Sequence, residues 1–128
     1  MRFRTFVAVP FIALSLASCG SSDGDSGSDA TLPADTVLIT AIEGIAWDKP
    51  SYEATSVDGK VSLAVKNQSS LPHDLHLVDA ASVDVGIDLE VNGRNDVDST
   101  AVPLAPGDYK VICTIAGHAN MKATLTVT

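Results

Sequence analysis

Three side chains that can bind a soft metal ion lie within nine residues near the C-terminus. Cys113 supplies a thiol, His118 an imidazole and Met121 a thioether. Thiolate and thioether are soft ligands, and imidazole binds copper in both of its common redox states, so this set suits copper better than other common metals. Zinc is a weaker alternative, because structural zinc sites usually carry two to four cysteines. The stretch therefore predicts a copper site that still needs a second histidine.

Two further histidines lie close together in the segment from Leu71 to Leu77, and either one can supply the missing ligand. The segment has the pattern of a β-strand, in which alternate side chains point to opposite faces. His73 then shares a face with residues 75 and 77, while His76 points the other way. The strand pattern therefore predicts different surroundings for the two histidines, with His76 a surface or hydrogen-bonded residue.

The elements that must position these side chains are β-strands. Val61, Leu63 and Val65 alternate with smaller or polar residues, which is typical of a half-buried strand. No window has a convincing helical period, and a turn or two of helix is expected only within residues 80–90. Short strands separated by turn signals every 8–12 residues or so predict an all-β sandwich. The expected strands cover residues 37–42, 52–56, 60–67, 73–78, 97–102, 108–113 and 122–127.

The N-terminus has the features of an export signal. Two arginines in the first four residues precede a short apolar stretch that Pro10 interrupts, and Leu16-Ala17-Ser18-Cys19 follows. About 20 apolar residues are needed to span a bilayer, so the stretch predicts a signal peptide rather than a membrane span. Its ending is similar to a bacterial lipobox, which implies cleavage before Cys19 and attachment of lipid to that residue. An ordinary signal peptide cut nearby is the alternative.

These features divide the chain into three parts. Residues 1–18 are the predicted lipoprotein signal peptide, residues 19–35 a lipidated cysteine and a flexible tether rich in Ser, Gly and Asp, and residues 36–128 one folded domain. The expected location is a periplasmic or extracellular face, with the lipid as membrane anchor. If Cys19 carries lipid, Cys113 has no disulfide partner. A lone thiol outside the cytoplasm is protected when it binds a metal, and a buried, inert cysteine is the simpler alternative.

The mature chain is strongly acidic. Without the signal peptide it has six Lys and Arg residues against sixteen Asp and Glu, a formal net charge of −10. This charge argues against binding to nucleic acid or to anionic lipid surfaces, and it favours a partner with a basic face. One group of acidic side chains is either a docking element for such a partner or a solvated loop face: Asp79, Asp84, Asp88, Glu90, Asp96 and Asp98.

Longer motifs resemble the cupredoxins, the blue type 1 copper proteins that include plastocyanin and azurin. Residues 67–74, NQSSLPHD, are similar to the Asn-rich turn before the first copper histidine of plastocyanins. Residues 106–113, PGDYKVIC, are similar to the family's Pro-Gly-x-Tyr approach to the copper cysteine, and residues 113–118, CTIAGH, resemble the loop opening of azurin-like proteins. The resemblance covers the predicted domain in order and spacing, and it implies a Greek-key β-sandwich of about seven to eight strands.

The resemblance also implies the site and its surroundings. Asp74 would brace the ligand loop by a hydrogen bond near Thr114, and bonds of this kind orient metal ligands. The two-residue gap between His118 and Met121 is shorter than in plastocyanin-like and azurin-like loops, and it resembles the His-x-x-Met of amicyanins. The implied ligands of one type 1 copper ion are His73, Cys113, His118 and Met121.

The implied function is the transfer of single electrons between redox protein partners by a monomeric carrier. Copper enzymes built from cupredoxin domains need further domains and further histidines, so no enzymatic activity is expected. Export for copper capture or delivery is the alternative function, although the chain has no Met-rich or His-rich run. The small and apolar residues expected around the exposed edge of His118 predict a docking patch for partners: Leu71, Pro72, Ala116 and Ala119.

Overall fold

The computed structural model describes residues 32–128, which contain nine β-strands and no helix. The predicted signal peptide, Cys19 and most of the predicted tether lie outside the described residues. Accordingly, residues 32–128 offer no helix with the length and apolar character that a membrane crossing needs. The strands are β1 (Val37–Ile42), β2 (Ala46–Trp47), β3 (Ser51–Ala54), β4 (Lys60–Asn67), β5 (His73–Val78), β6 (Leu89–Val91), β7 (Val97–Pro103), β8 (Gly107–Ile112) and β9 (Lys122–Val127).

The strands form two sheets whose inner faces share one hydrophobic core. One sheet has the order β2-β1-β4-β7 and the other β3-β9-β8-β5-β6. β1 runs parallel to β4, and β3 runs parallel to β9, while the other neighbours are antiparallel. Burying each large aliphatic side chain contributes about 1.5–3 kcal/mol. The fully buried ones come from both sheets and include Ile39, Leu63, Leu75, Leu77 and Leu125.

The predicted all-β sandwich is confirmed, and two details of the prediction differ. β1, β4, β5 and β9 begin and end at the expected residues, but the short strands β2 and β6 raise the number to nine. The helical turn expected within residues 80–90 is wrong. The carboxylate of Asp79 accepts hydrogen bonds from the amides of Ala81 and Val83, which closes a loop instead. The following apolar residues form β6 beside β5.

The pairing of β5 with β8 determines where the C-terminal loop begins. His76 lies opposite Ile112 in this antiparallel pair. Continued by two residues, the same register brings Asp74 opposite Thr114, just beyond the end of β8. Forty residues separate Asp74 from Thr114 in the sequence. His73 directly precedes Asp74, and Cys113 directly precedes Thr114. These two predicted metal ligands therefore lie at adjoining ends of neighbouring strands, at the same end of the sandwich.

Candidate metal centre

His73, Cys113 and His118 form a buried cluster of side chains that can bind a metal ion. One donor atom from each residue lies within 4.8 Å of the donor atoms of the other two. Cys113 Sγ is 3.5 Å from His118 Nδ1, and the ring centroids of His73 and His118 are 4.9 Å apart at an interplanar angle of 41°. The structure thus brings together the thiol and two of the three imidazoles of the chain.

Hydrogen bonding fixes the orientation of the His73 ring. Its Nε2 lies 2.7 Å from Ser69 Oγ. The one hydroxyl proton of Ser69 has acceptors in the Asn67 side chain at 2.9 Å and the Leu71 carbonyl at 3.1 Å. Ser69 Oγ is therefore the acceptor towards His73, so Nε2 carries the ring proton and donates a hydrogen bond to Oγ. Nδ1 therefore has a free lone pair, and it is buried with no hydrogen-bond partner among residues 32–128. A role as metal ligand accounts for this nitrogen.

Burial sets the protonation of the donors. It lowers the pKa of His73, and the charge of the nearby His118 lowers that pKa further, so the neutral imidazole that a metal requires is favoured. Burial raises the pKa of the Cys113 thiol, because here the charged form is the deprotonated one. Since the thiolate is the form that binds metals, a cation that binds here displaces the Cys113 proton.

Asn67 and Ser69, which the sequence did not indicate as site residues, tie the segment before His73 to the core. Asn67 is fully buried, and its Nδ2 donates to the carbonyls of Leu71 at 2.7 Å and Val91 at 3.4 Å. Its Oδ1 accepts from the Ser69 amide at 2.8 Å and from the Ser69 hydroxyl. Asn and Ser favour such bonds to turn backbone, so the run NQSS carried a signal for the turn but none for its link to the imidazole.

Two successive turns shape the loop that carries the other donors. The His118 amide donates to the Ile115 carbonyl at 3.0 Å, and the Met121 amide donates to the His118 carbonyl at 2.9 Å. Gly117 has φ of +88°, a left-handed conformation that favours glycine. The short interval between His118 and Met121 is thus closed by a single turn. The Met121 side chain is 1% exposed and belongs to the same core cluster as Cys113.

Asp74 joins the two segments that carry the donors. Its Oδ1 accepts a hydrogen bond from the Thr114 amide, and its Oδ2 accepts one from the Thr114 hydroxyl, each at 2.5 Å. Burial raises the pKa of Asp74, but these hydrogen bonds and the nearby His76 together lower it by more, so the pKa lies below its ordinary value. The carboxylate and Thr114 therefore make the contact that the sequence resemblance implied.

The donor set fits one type 1 copper ion. One thiolate and two imidazoles are the strong ligands of such a centre, and a thioether is its usual weak ligand. Structural zinc sites, by contrast, are usually dominated by cysteine. His73, Cys113 and His118 would hold the ion through Nδ1, Sγ and Nδ1, and Met121 is buried in the same part of the core.

The four residues predicted as a docking patch are exposed. Leu71 has 41% of its surface exposed, and Pro72, Ala116 and Ala119 are exposed as well. His118 itself is only 6% exposed. The outer surface next to the donor loop therefore consists largely of small or apolar side chains.

Most of the acidic side chains predicted as a second docking element are engaged within the domain. Two of them contact the imidazole of His76. Three others accept hydrogen bonds from backbone amides, namely Asp79, Asp96 and Asp98. These carboxylates thus have roles within the fold, and their part in binding a basic partner stays a prediction.

Several solved structures that resemble this chain are cupredoxins. Auracyanin B is 27% identical, with 82% of this chain and 96% of auracyanin B covered at a TM-score of 0.56. An oxidised mutant of amicyanin is 14% identical, with coverage of 80% and 90% and a TM-score of 0.59. A reduced Cu(I) form of another amicyanin mutant is 17% identical, with coverage of 77% and 88% and a TM-score of 0.55. No protein-family model and no curated protein matches the chain.

Fold, donor cluster and structural relatives together define the class of protein. The chain has the cupredoxin fold, and its His73, Cys113 and His118 fit one type 1 copper ion. The related cupredoxins are electron carriers rather than enzymes.

Proposed function

We propose that this chain is an exported, membrane-tethered blue copper protein that carries single electrons between redox partners. The buried cluster of His73, Cys113 and His118 carries the proposal, since it offers two imidazole nitrogens and a sulfur within 4.8 Å of one another. Copper bound there would supply the one-electron Cu(I)/Cu(II) couple. The exported location is supported by the N-terminal signal pattern and by the structural relatives, which are typically exported proteins.

The surrounding residues would serve electron transfer by limiting movement of the donors. Ser69 holds the His73 ring, and Asp74 holds the backbone that follows Cys113. Donors that are already oriented by their neighbours need little rearrangement when the charge of a bound ion changes. Met121 would supply a fourth, weakly bound donor, and its burial and single-turn link to His118 support that role.

The visible spectrum tests the metal centre directly. The chain without its signal peptide and Cys19, residues 20–128, is mixed with Cu(II) beside a Cys113→Ser variant. We expect an intense thiolate-to-copper charge-transfer band that the variant lacks, because only Cys113 among residues 20–128 can supply a thiolate. A colourless protein would refute the electron-carrier function. A blue protein that exchanges electrons slowly and releases Cu(I) readily to a chelator would favour copper delivery instead.

Electron self-exchange tests the docking patch without a known partner. Two molecules must bring their patches together, so a charge placed there should repel its copy. We expect Ala116→Glu to slow self-exchange about tenfold at low ionic strength. Val57→Glu is a matched control, because Val57 is 48% exposed and lies in the turn before β4. Equal rates for the two variants would exclude the patch.

Lipid labelling tests the membrane tether, which rests on the sequence resemblance at Leu16 to Cys19. In cells fed a labelled fatty acid, the full chain should carry the label and sediment with membranes. Cys19→Ala should lose the label and appear in the soluble exported fraction. A soluble, unlabelled wild type would reject the tether and leave the metal centre untouched.

For the partner, we propose a basic docking face, which predicts association rates that fall steeply as salt is added.

A further inference from the structure

His76, the histidine outside the donor cluster, lies among three carboxylates on the outer face of β5. Its Nδ1 is 3.1 Å from Asp84 Oδ2, and its Nε2 is 3.3 Å from Asp88 Oδ1. Each ring nitrogen therefore faces a carboxylate oxygen of its own, and the two contacts hold the ring from both sides. The side chain is 17% exposed, which leaves it little freedom to rotate away from these partners.

The third carboxylate near His76 is that of Asp74. His76 Nε2 lies 3.7 Å from Asp74 Oδ2, the same oxygen that accepts the Thr114 hydroxyl. Alternation along β5 puts Asp74 and His76 on one face, side by side and next to the end of β8. The ring edge at this distance limits the space in which the Asp74 carboxylate can turn, and so favours the rotamer that reaches Thr114.

The loop that carries Asp84 and Asp88 is itself fixed to β5. The Val85 amide donates to the Leu77 carbonyl at 3.0 Å, and the Gly86 amide donates to Asp84 Oδ1 at 2.7 Å. Asp84 is therefore held by its own loop while it holds His76. Contacts thus continue without a gap from this loop through His76 and Asp74 to the backbone beside Cys113.

We propose that His76 is a positioning residue for the metal centre. Held by Asp84 and Asp88, it keeps Asp74 in the orientation that fixes Thr114 and, with it, the start of the donor loop. The copper measurements below rest on the proposed function, whereas the measurements on the metal-free protein do not.

Amide hydrogen exchange in the metal-free full chain tests the proposal first. His76→Leu removes both ring nitrogens, and we expect the Thr114 amide to exchange about 3- to 10-fold faster because its bond to Asp74 is loosened. The core amides of Leu77 and Val111 should keep their rates. Thr124→Leu, on the outer face of β9 in the same sheet, is the matched control and should leave Thr114 unchanged. A uniform change in all amides, or none at Thr114, would overturn the proposal.

Conservative variants keep the test decisive if His76→Leu does not fold. His76→Gln retains amide protons near Asp74 and should restore part of the protection of Thr114. Asp84→Asn weakens one of the two bonds that hold His76 and should give a smaller increase in Thr114 exchange. If Asp84→Asn and His76→Gln both left the Thr114 rate at its wild-type value, the positioning role would be rejected.

A double-mutant cycle tests the link to the metal. Outer hydrogen bonds to metal ligands typically change affinity by about 10- to 100-fold, and His76 acts one bond further out. We expect His76→Leu to speed Cu(II) loss to excess EDTA about 3- to 10-fold, and to have less than about a twofold effect in an Asp74→Asn background. Equal effects in both backgrounds would show that His76 does not act through Asp74. If no copper binds at all, the proposed function fails while the exchange result on Thr114 still stands.

Discussion

Residues 67–73 and residues 113–121 deliver donor atoms to the same cluster but are held by different bonds. In the first segment, side chains hold the backbone, because buried Asn67 binds the turn and Ser69 binds the His73 ring. In the second, the backbone holds itself through two successive turns, one of which contains the left-handed Gly117. Asp74 is the bridge between the two segments.

The difference separates two requirements of the site. The first segment places one imidazole on the rigid end of β5 and protects it, with His73 1% exposed. The second segment contributes His118, which is 6% exposed and has exposed alanines on either side. A network of side-chain hydrogen bonds suits a donor residue that stays in one position, whereas successive backbone turns suit a loop that also forms part of the surface. We therefore expect substitutions in the two segments to differ in their effects on the free energy of unfolding and on the retention of copper.

The largest effect is expected in the first segment, for Asn67→Ala. The change leaves the Leu71 carbonyl and the Ser69 amide without their buried partner. The free energy of unfolding of the metal-free protein should fall by about 3 kcal/mol. Urea denaturation measures it, with Asn92→Ala as the exposed control, for which a change within about 0.5 kcal/mol is expected. A loss in Asn67→Ala no greater than in the control would remove the distinction between the segments.

Ser69→Ala should have the next largest effect and act on the ring itself. Without the hydroxyl, His73 Nε2 and the Leu71 amide lose a buried partner, which should cost about 2 kcal/mol. Nitrogen NMR of the His73 ring should show a single tautomer with the proton on Nε2 in the wild type and a mixture in the variant. Ser70→Ala removes only an exposed contact to Glu43 and serves as the control. An unchanged tautomer in Ser69→Ala would contradict the anchoring role.

A matched pair of glycines tests the second segment. Gly44 and Gly117 have φ of +90° and +88°, and a Cβ at either position would meet nothing within 4 Å. Each change to alanine should therefore cost about 1 kcal/mol of stability from backbone strain alone. Only Gly117→Ala should also speed copper loss, because it strains the donor loop. If both variants lost copper at the same rate, the turn at Gly117 would have no special part in holding the donors.

The smallest effect lies in a third region, which should not respond to the metal. Tyr52 donates to Asp48 Oδ1, and burial together with this carboxylate raises the pKa of Tyr52 well above its ordinary value. A raised pKa gives stability that is present below about pH 10 and is lost as pH rises further. Tyr52→Phe should therefore cost about 1 kcal/mol at pH 7, and the difference from the wild type should vanish by about pH 11.

Urea denaturation at several pH values checks this prediction with and without copper. The loss at alkaline pH should be the same in both forms, because Tyr52 lies in β3, which β9 and β8 separate from β5, and its hydroxyl bonds to Asp48 and to the Lys49 amide. If the loss of unfolding free energy above pH 10 differed between the copper-bound and copper-free forms, this region would be linked to the metal centre.

The sequence predicted those parts of the molecule that depend on local pattern. Alternation over Lys60–Asn67 and Lys122–Val127 located two strands to the residue, since half-buried strands need a period of two. Leu89–Val91 was missed because three residues are too short to show a period, and the preceding aspartates gave no sign of the loop that their carboxylates close. Short strands depend on the neighbour they pair with rather than on their own composition.

The site divides in the same way. Cys113, His118 and Met121 share one loop, so their spacing was visible in the chain. The contacts of His76 and the bond from His73 to Ser69 were not predicted, because they depend on side-chain directions set by the folded turn and on a loop eight residues further along. Residue types indicated which chemistry was present, and tertiary packing decided which atoms could perform it.

The separation of the donors in the chain also imposes an order of events on the export that we propose. Three of the proposed ligands lie in one loop, but His73 joins them only once β5 has paired with β8 across forty residues. Such long-range pairing is among the slower steps of folding. A chain that crosses a membrane unfolded therefore lacks the complete set of donors until its sandwich has closed on the far side. Its metal would be taken from the compartment in which it works, as the final step of its maturation.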